Sequence, residues 1–284
     1  MGTDWFRPIS LEEALELRMT YPDAYLLCGA THLMTQPRTA LSQYTRFIDL
    51  SRVEQLYGCH TEECVIQVGA AFSYARAADF LASTVPAVAQ ACRSVGTPQV
   101  RNKGTLGGAV ALSLPNADLP PALLAVGAEV VLTSTVGSRV LPIEAWVCEP
   151  SQTSLQPDEI ITALRFPRDQ GPQAYHRLGR RAAFCFPEVA AAIAIDATLP
   201  SPYVRIAMTV GTGAFRLLHA EQFATEALSM MGTEPPEEIG MEFYGIVEET
   251  LAAHSAEIPE VVRTSAAAVA VRTLQEVWSD GDHL

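Results

Sequence analysis

Arg101-Asn-Lys-Gly-Thr-Leu-Gly-Gly-Ala-Val-Ala-Leu-Ser-Leu-Pro-Asn-Ala-Asp118 decides how the rest of this chain is read. Three glycines, Gly104, Gly107 and Gly108, fall within five residues, and Thr105 stands between the first and the second. Glycine takes positive φ at no steric cost and lets a backbone come close to a ligand. A run of bare backbone N–H groups in such a turn forms a concave anion site, and the Thr105 hydroxyl adds a donor. Asp118, ten residues past the Gly-Gly pair, offers an acceptor to a ribose or an adenine amino group. The chemistry is that of a dinucleotide, with its pyrophosphate at the glycines and a nucleoside at the carboxylate. The spacing is neither the G-x-G-x-x-G of a Rossmann unit nor a P-loop. On spacing alone, a plain turn between strands stays open. Arg101 and Lys103 either supply charge to the pyrophosphate or are simply solvated.

The longer stretch Thr97 to Gly108, followed by Pro115-Asn-Ala-Asp-Leu-Pro-Pro-Ala-Leu-Leu-Ala-Val-Gly-Ala128, closely resembles the second flavin motif of one family. This is the FAD-binding (medium) subunit of molybdenum hydroxylases, as in carbon monoxide dehydrogenase and the flavin part of xanthine dehydrogenase. The resemblance runs over nearly the whole chain. It implies an α+β fold: a two-part FAD-binding domain of the vanillyl-alcohol-oxidase/p-cresol-methylhydroxylase type, then a C-terminal domain with a three-stranded antiparallel sheet and helices. The expected division is residues 1–170, with parts at about 1–54 and 55–170, and then 171–284.

Within that resemblance, Cys28-Gly-Ala-Thr-His-Leu33 aligns with the family's first flavin motif, whose backbone N–H groups hold the pyrophosphate. Its second glycine is Ala30 here, and His32 stands where the family often has Asp or Ser. In the second motif Thr105, Leu106, Gly107 and Gly108 match, but Ala109 replaces the usual Asn. Asp118 matches the acidic residue of the FAD ribose region; it also reads as an N-cap for a helix opening Leu-Pro-Pro. Val95 and Thr162 fall near positions that touch the flavin. His176, in Tyr175-His-Arg-Leu-Gly-Arg-Arg181, takes the place the resemblance gives to a lysine beside the flavin ring. Its charge would follow pH near neutrality. An exposed strand residue is the other reading there.

The 284 residues predict roughly two domains. At 49% hydrophobic and 18% charged, the composition is that of a globular protein. No apolar run approaches the ~20 residues needed to cross a bilayer, and the start Met-Gly-Thr-Asp-Trp-Phe lacks an apolar signal core, so a cytoplasmic location is expected. A net charge of −13 argues against nucleic acid or an anionic membrane as partner. Six scattered cysteines form no C-x-x-C pair, and Cys59, His60 and Cys64 lack a second pair to complete a metal site.

Element signals run along the whole chain. Ser10, with Glu13 three residues on, reads as a capping box opening a helix whose apolar face is Leu11, Ala14, Leu15 and Met19. Strands are expected at 24–28, 46–50, 64–70, 129–135, 139–142 and 158–166, and three more at 174–179, 188–195 and 203–210, with helices after them. The resemblance implies a chain that carries FAD, takes electrons from a two-cluster iron–sulfur subunit of a complex with a molybdopterin subunit, and passes them to NAD, oxygen or another acceptor. No catalytic acid, base or metal ligand is expected. A free-standing flavin-dependent oxidase or dehydrogenase, and a flavin-free structural or interaction protein on the same fold, stay open as alternatives.

Overall fold

The computed structural model describes residues 3–280, apart from 38, 40–42, 115, 150–151, 169, 182–183, 198–200, 212, 232–236 and 256. Pro115 of the quoted motif therefore lies outside the described residues. The chain groups into two compact units that interleave along the sequence. The first is Met1–Ala77, Thr97–Ser113 and Glu129–Phe166; the second is Ala78–Gly96, Leu114–Ala128 and Pro167–Leu284. The sequence reading divides the chain linearly near 170, whereas these contacts assign two internal segments to the second unit.

In the first unit, strands β1 (Asp4–Phe6), β2 (Tyr25–Leu27) and β3 (Arg46–Asp49) form a parallel sheet in the order β1-β3-β2. Helix α1 (Leu11–Thr20) connects β1 to β2. It starts where the capping signal puts it: the Glu13 N–H donates to Ser10 Oγ at 3.2 Å, and the Glu13 carboxylate accepts from the Ile9 N–H at 2.9 Å. Its inward face is Ala14, Leu15 and Arg18; Met19, expected inside, is 55% exposed. Position 18 is the seventh after Leu11, where the helical repeat returns to the core.

A second, five-stranded sheet runs β4-β5-β10-β6-β7, from β4 (Cys59–Thr61), β5 (Val65–Gly69), β6 (Glu129–Ser134), β7 (Gly137–Pro142) and β10 (Ile160–Pro167). The β6–β7 turn is the expected hairpin, with Gly137 at φ 147°. Strands β8 (Val147–Glu149) and β9 (Gln152–Thr153) form a small ribbon. Cys59 and His60 sit on β4, an exposed edge strand that the sequence did not signal. Leu15, Ile48, Leu56, Ala71 and Ile160 close one core of this unit. Its other helices are α2 (Tyr74–Phe80, which begins here), α4 (Pro98–Lys103), α5 (Leu106–Leu112) and α7 (Ile143–Trp146). The Trp146 indole N–H donates to the Val110 carbonyl at 3.0 Å and pins α7 against α5.

In the second unit, β11 (Gln173–Leu178), β12 (Val189–Asp196), β13 (Tyr203–Val210) and β14 (Gly213–Arg216) form an antiparallel sheet. The fourth strand corrects the three-stranded expectation. It is short, and Arg216 holds it by a two-pronged pair to Glu221, which is fully buried. Helices α8 (Leu218–Met231), α9 (Glu237–His254) and α10 (Glu260–Ser279) share a core with Ala191, Ile193, Ile206 and Met208. Helices α3 (Pro86–Ser94) and α6 (Leu119–Ala125) pack on the sheet as well. Covered on both faces, β12 is a continuous buried run, Val189 through Ile195, rather than an alternating one. Among the described residues no helix is long and apolar enough to cross a membrane.

Candidate functional site

The two glycine turns meet backbone to backbone inside the first unit. A Cβ added at Gly29 would lie 2.0 Å from the Lys103 carbonyl oxygen and 3.0 Å from the Gly104 Cα, so no larger residue fits where the turns touch. Around this junction lies a cavity of about 390 Å³, within the range of small-molecule sites. Cys28, Gly29, Ala30, Thr31, His32 and Leu33 line it from the first turn, and Thr105, Gly107 and Gly108 from the second. Nine of the residues expected at the site therefore share one wall-to-wall cavity.

The two turns offer different chemistry. After β2, the chain bends through Ala30 at φ 54° and enters a short 3₁₀ turn, Leu33–Thr35. Among the described residues no backbone oxygen accepts from the N–H groups of Thr31, His32 or Leu33. Three successive donors are thus free for an anion. The left-handed conformation at Ala30 is one that glycine enters freely and alanine only under strain. His32 turns its ring to Gln36, Nε2 to Nε2 at 2.9 Å.

The second turn is not a run of bare amides. Thr105 is the N-cap of α5, and its hydroxyl accepts from the Gly108 N–H at 3.1 Å. The Leu106 N–H goes to the Phe72 carbonyl at 3.0 Å, the Gly107 N–H to Ala70 at 2.9 Å, and the Ala109 N–H to Thr105 at 3.0 Å. Gly104, Gly107 and Gly108 are also absent from the positive-φ glycines. These glycines serve close approach instead. A Cβ at Gly107 would meet the Ala70 Cβ at 2.6 Å, and one at Gly104 would meet the Tyr74 ring at 2.5 Å. Gly108 differs: among the described residues, a Cβ there would meet only Thr105 Oγ1, at 3.0 Å, outside its own helix backbone. What this turn can give a ligand is the Thr105 hydroxyl proton and the open surface at Gly108.

Leu106 is fully buried in the core and Ala109 is half-buried, and neither lines the cavity. Thr162 does not line it either. Its hydroxyl pairs with Thr133 Oγ1 at 2.9 Å, and its carbonyl accepts from the Ala70 N–H at 2.9 Å. It holds Ala70, on which Gly107 packs.

Val95, Asp118 and His176 belong to the second unit. Val95 ends α3, just before Gly96 at φ 45°. Asp118 stands at the N-cap of α6, but its side chain makes no capping bond. The carboxylate, 4% exposed, instead takes the Tyr175 hydroxyl at 2.8 Å and Arg177 Nη1 at 3.0 Å, both on Oδ1. Burial raises its pKa above the usual carboxylate value, against the pull of Arg177 and Tyr175. Burial likewise drives the Tyr175 phenol well above its ordinary value.

Strand alternation decides the fate of His176. Tyr175 and Arg177 point to the face holding Asp118, opposite Ala192 and Ala190 in register, whose small side chains leave room for them. His176 points to the other face, with Nε2 at 3.1 Å from Glu276 on α10. Burial lowers its pKa; Glu276 acts to raise it and Arg272 to lower it further. Arg177 is the residue that sequence reasoning passed over. The two-residue period from Tyr175 is the signal that finds it.

A turn with three free amides, locked against a second glycine turn over one cavity, is an arrangement for a phosphate-bearing nucleotide. Residues 1–169 match the family described as "FAD binding domain in molybdopterin dehydrogenase". The chain belongs to this family, and FAD is the cofactor of this domain. The free amides, the Thr105 hydroxyl and the open Gly108 fit that group, while Ala30 is the one strained departure in the cradle. The chain is 30% identical over 183 residues to the carbon monoxide dehydrogenase medium chain of Hydrogenophaga pseudoflava, covering 63% of this chain and 64% of that one. It is 29% identical over 228 residues to the caffeine dehydrogenase subunit beta of a Pseudomonas strain, covering 78% and 77%. In fold it superposes on a chain of quinoline 2-oxidoreductase from Pseudomonas putida with TM-score 0.85, at 21% identity and covering 100% and 99%.

Proposed function

We propose that this chain is the FAD-bearing subunit of a molybdenum hydroxylase, accepting electrons from an iron–sulfur subunit of a complex that also holds a molybdopterin subunit. The observation that carries the reading is the junction at Gly29, where three free amides and the second turn face one cavity. The names of its relatives, a medium chain and a subunit beta, support a place in a multi-subunit enzyme.

FAD, when bound, supplies reversible electron exchange between the iron–sulfur partner and a final acceptor such as NAD or oxygen. The residues of this chain bind and tune. The Thr31, His32 and Leu33 amides are assigned to the pyrophosphate, with the Thr105 hydroxyl as a further donor. In the second unit, Asp118 keeps Oδ2 as an acceptor, since Oδ1 already takes Tyr175 and Arg177. There the Arg177 guanidinium is committed to Asp118 and to the Ser94 and Cys185 carbonyls, while His176 faces Glu276.

Calorimetry of the full chain with FAD and with FMN tests the binding step. A clear preference for FAD is expected, and equal affinity, or none for either, contradicts it. Purification of the tagged chain from its native host tests the partners. Co-elution of iron–sulfur and molybdopterin subunits is expected, whereas a yellow chain active alone would favour a free-standing flavoenzyme.

A further inference from the structure

We infer that Arg18 is a phosphate anchor in the wall of the first unit's cavity. The residue sits on the inward face of α1 and is 8% exposed. Its Nη1 donates to the Pro22 and Ala24 carbonyls, both at 3.0 Å, which fixes the plane of the guanidinium. The opposite edge is unused. Nε is buried without a hydrogen-bond partner, and Nη2 makes no hydrogen bond among the described residues. No carboxylate of the described residues lies within 4 Å of it; Asp23, next to the Pro22 and Ala24 carbonyls that Arg18 holds, pairs with Arg46 at 3.1 Å. Arg18 lines the same cavity as the two glycine turns.

An unpaired buried charge is costly, and an apolar side chain at this core position would pack without that cost. Holding two loop carbonyls uses one nitrogen and leaves the charge uncompensated. Burial accordingly lowers the Arg18 pKa, with Asp158 and Asp23 opposing from a distance. Nη2, left without a partner among the described residues, is a charged donor that an oxygen of a phosphate can accept from. The group it takes is a phosphate, carried either by the nucleotide in the cavity or by a free phosphate ion. The inference stands on Arg18's own geometry and does not depend on which molecule fills the rest of the cavity.

The test is titration of inorganic phosphate into the full chain, stripped of flavin and again loaded with FAD, read by calorimetry and by the thermal midpoint. Wild type should bind phosphate in at least one of the two states, and Arg18→Met should weaken that binding at least tenfold, with Arg18→Lys in between. A phosphate response that persists in the FAD-loaded chain identifies a free-ion site. A response present only in the stripped chain, with Arg18→Met weakening FAD but not riboflavin, identifies a phosphate of the cofactor. Should Arg18→Met fail to fold, Arg18→Gln takes its place. A wild-type chain that binds no phosphate in either state, or variants that bind it as wild type does, overturn the inference.

Discussion

The two glycine turns look alike on paper and do opposite work. The second, with three glycines, has the richer sequence, yet its amides from Leu106 to Ala109 are all spent on the protein itself. The first, with one glycine and a strained alanine, keeps the Thr31, His32 and Leu33 amides free. Glycine content therefore marks where backbones must approach, and free donors mark where a ligand can be gripped. A motif can be conspicuous because it is scaffold.

Substitutions at the points of approach should have the largest effect. Gly29→Ala sets a methyl against the Lys103 carbonyl, and Gly107→Val sets a branched side chain against Ala70. Each should cost more than about 3 kcal/mol of stability, at or beyond the upper end of overpacking. Chemical denaturation of the purified variants measures this. A near-normal midpoint for both would break the scaffold reading.

Gly108→Val separates the two roles. Its side chain would enter the cavity with only Thr105 Oγ1 close by. The fold should hold within about 1.5 kcal/mol, close to the cost of an ordinary point change, while FAD affinity falls by about tenfold or more, that is about 1.4 kcal/mol or more. Calorimetry alongside a melting curve reads both quantities, and unchanged FAD affinity would remove Gly108 from the site.

Ala30→Gly should act in the opposite sense. It removes the left-handed strain at φ 54°, worth about 1–2 kcal/mol, though glycine returns about 0.5–1 kcal/mol to the unfolded chain. A net gain of up to about 1.5 kcal/mol in stability is expected, with FAD bound at least as tightly. A loss of stability would mean that the packing of the alanine methyl against the Leu27, Leu33 and Phe47 cluster outweighs the strain. The smallest effect belongs to Thr105→Val, which removes a helix cap worth about 1 kcal/mol together with one ligand donor. Thermal denaturation with and without FAD should show a modest loss in both, and a loss of binding without a loss of stability would move Thr105 from scaffold to grip.

Much of this was legible in the sequence, and the misses have physical causes. Ser10 and Glu13 announced α1, and the run Val189 to Ile195 announced a strand buried on both faces. The flavin motifs named the family before any fold was in hand. The helical state of Gly107 and Gly108 was not legible, because glycine's low helix propensity argues for a turn and only the packing of α5 on Ala70 overrides it. Arg18 was passed over because a charged residue at a core position of the repeat reads as surface, which shifted the apolar face to Met19. Strand β14 hid because its four residues are all half-buried and alternate with nothing. Arg177 was passed over because reading by residue type ignores the face of the strand, where alternation puts it with Tyr175 beside Asp118.

Amide hydrogen exchange of the full chain, with and without FAD, is the most direct test of the contrast between the turns. Without FAD, the amides of Leu106, Gly107, Gly108 and Ala109 should already be protected, while those of Thr31, His32 and Leu33 exchange fast. On adding FAD, protection should appear at Thr31 to Leu33 and change little at Leu106 to Ala109. Protection appearing instead at the second turn, with the first unchanged, would contradict the account.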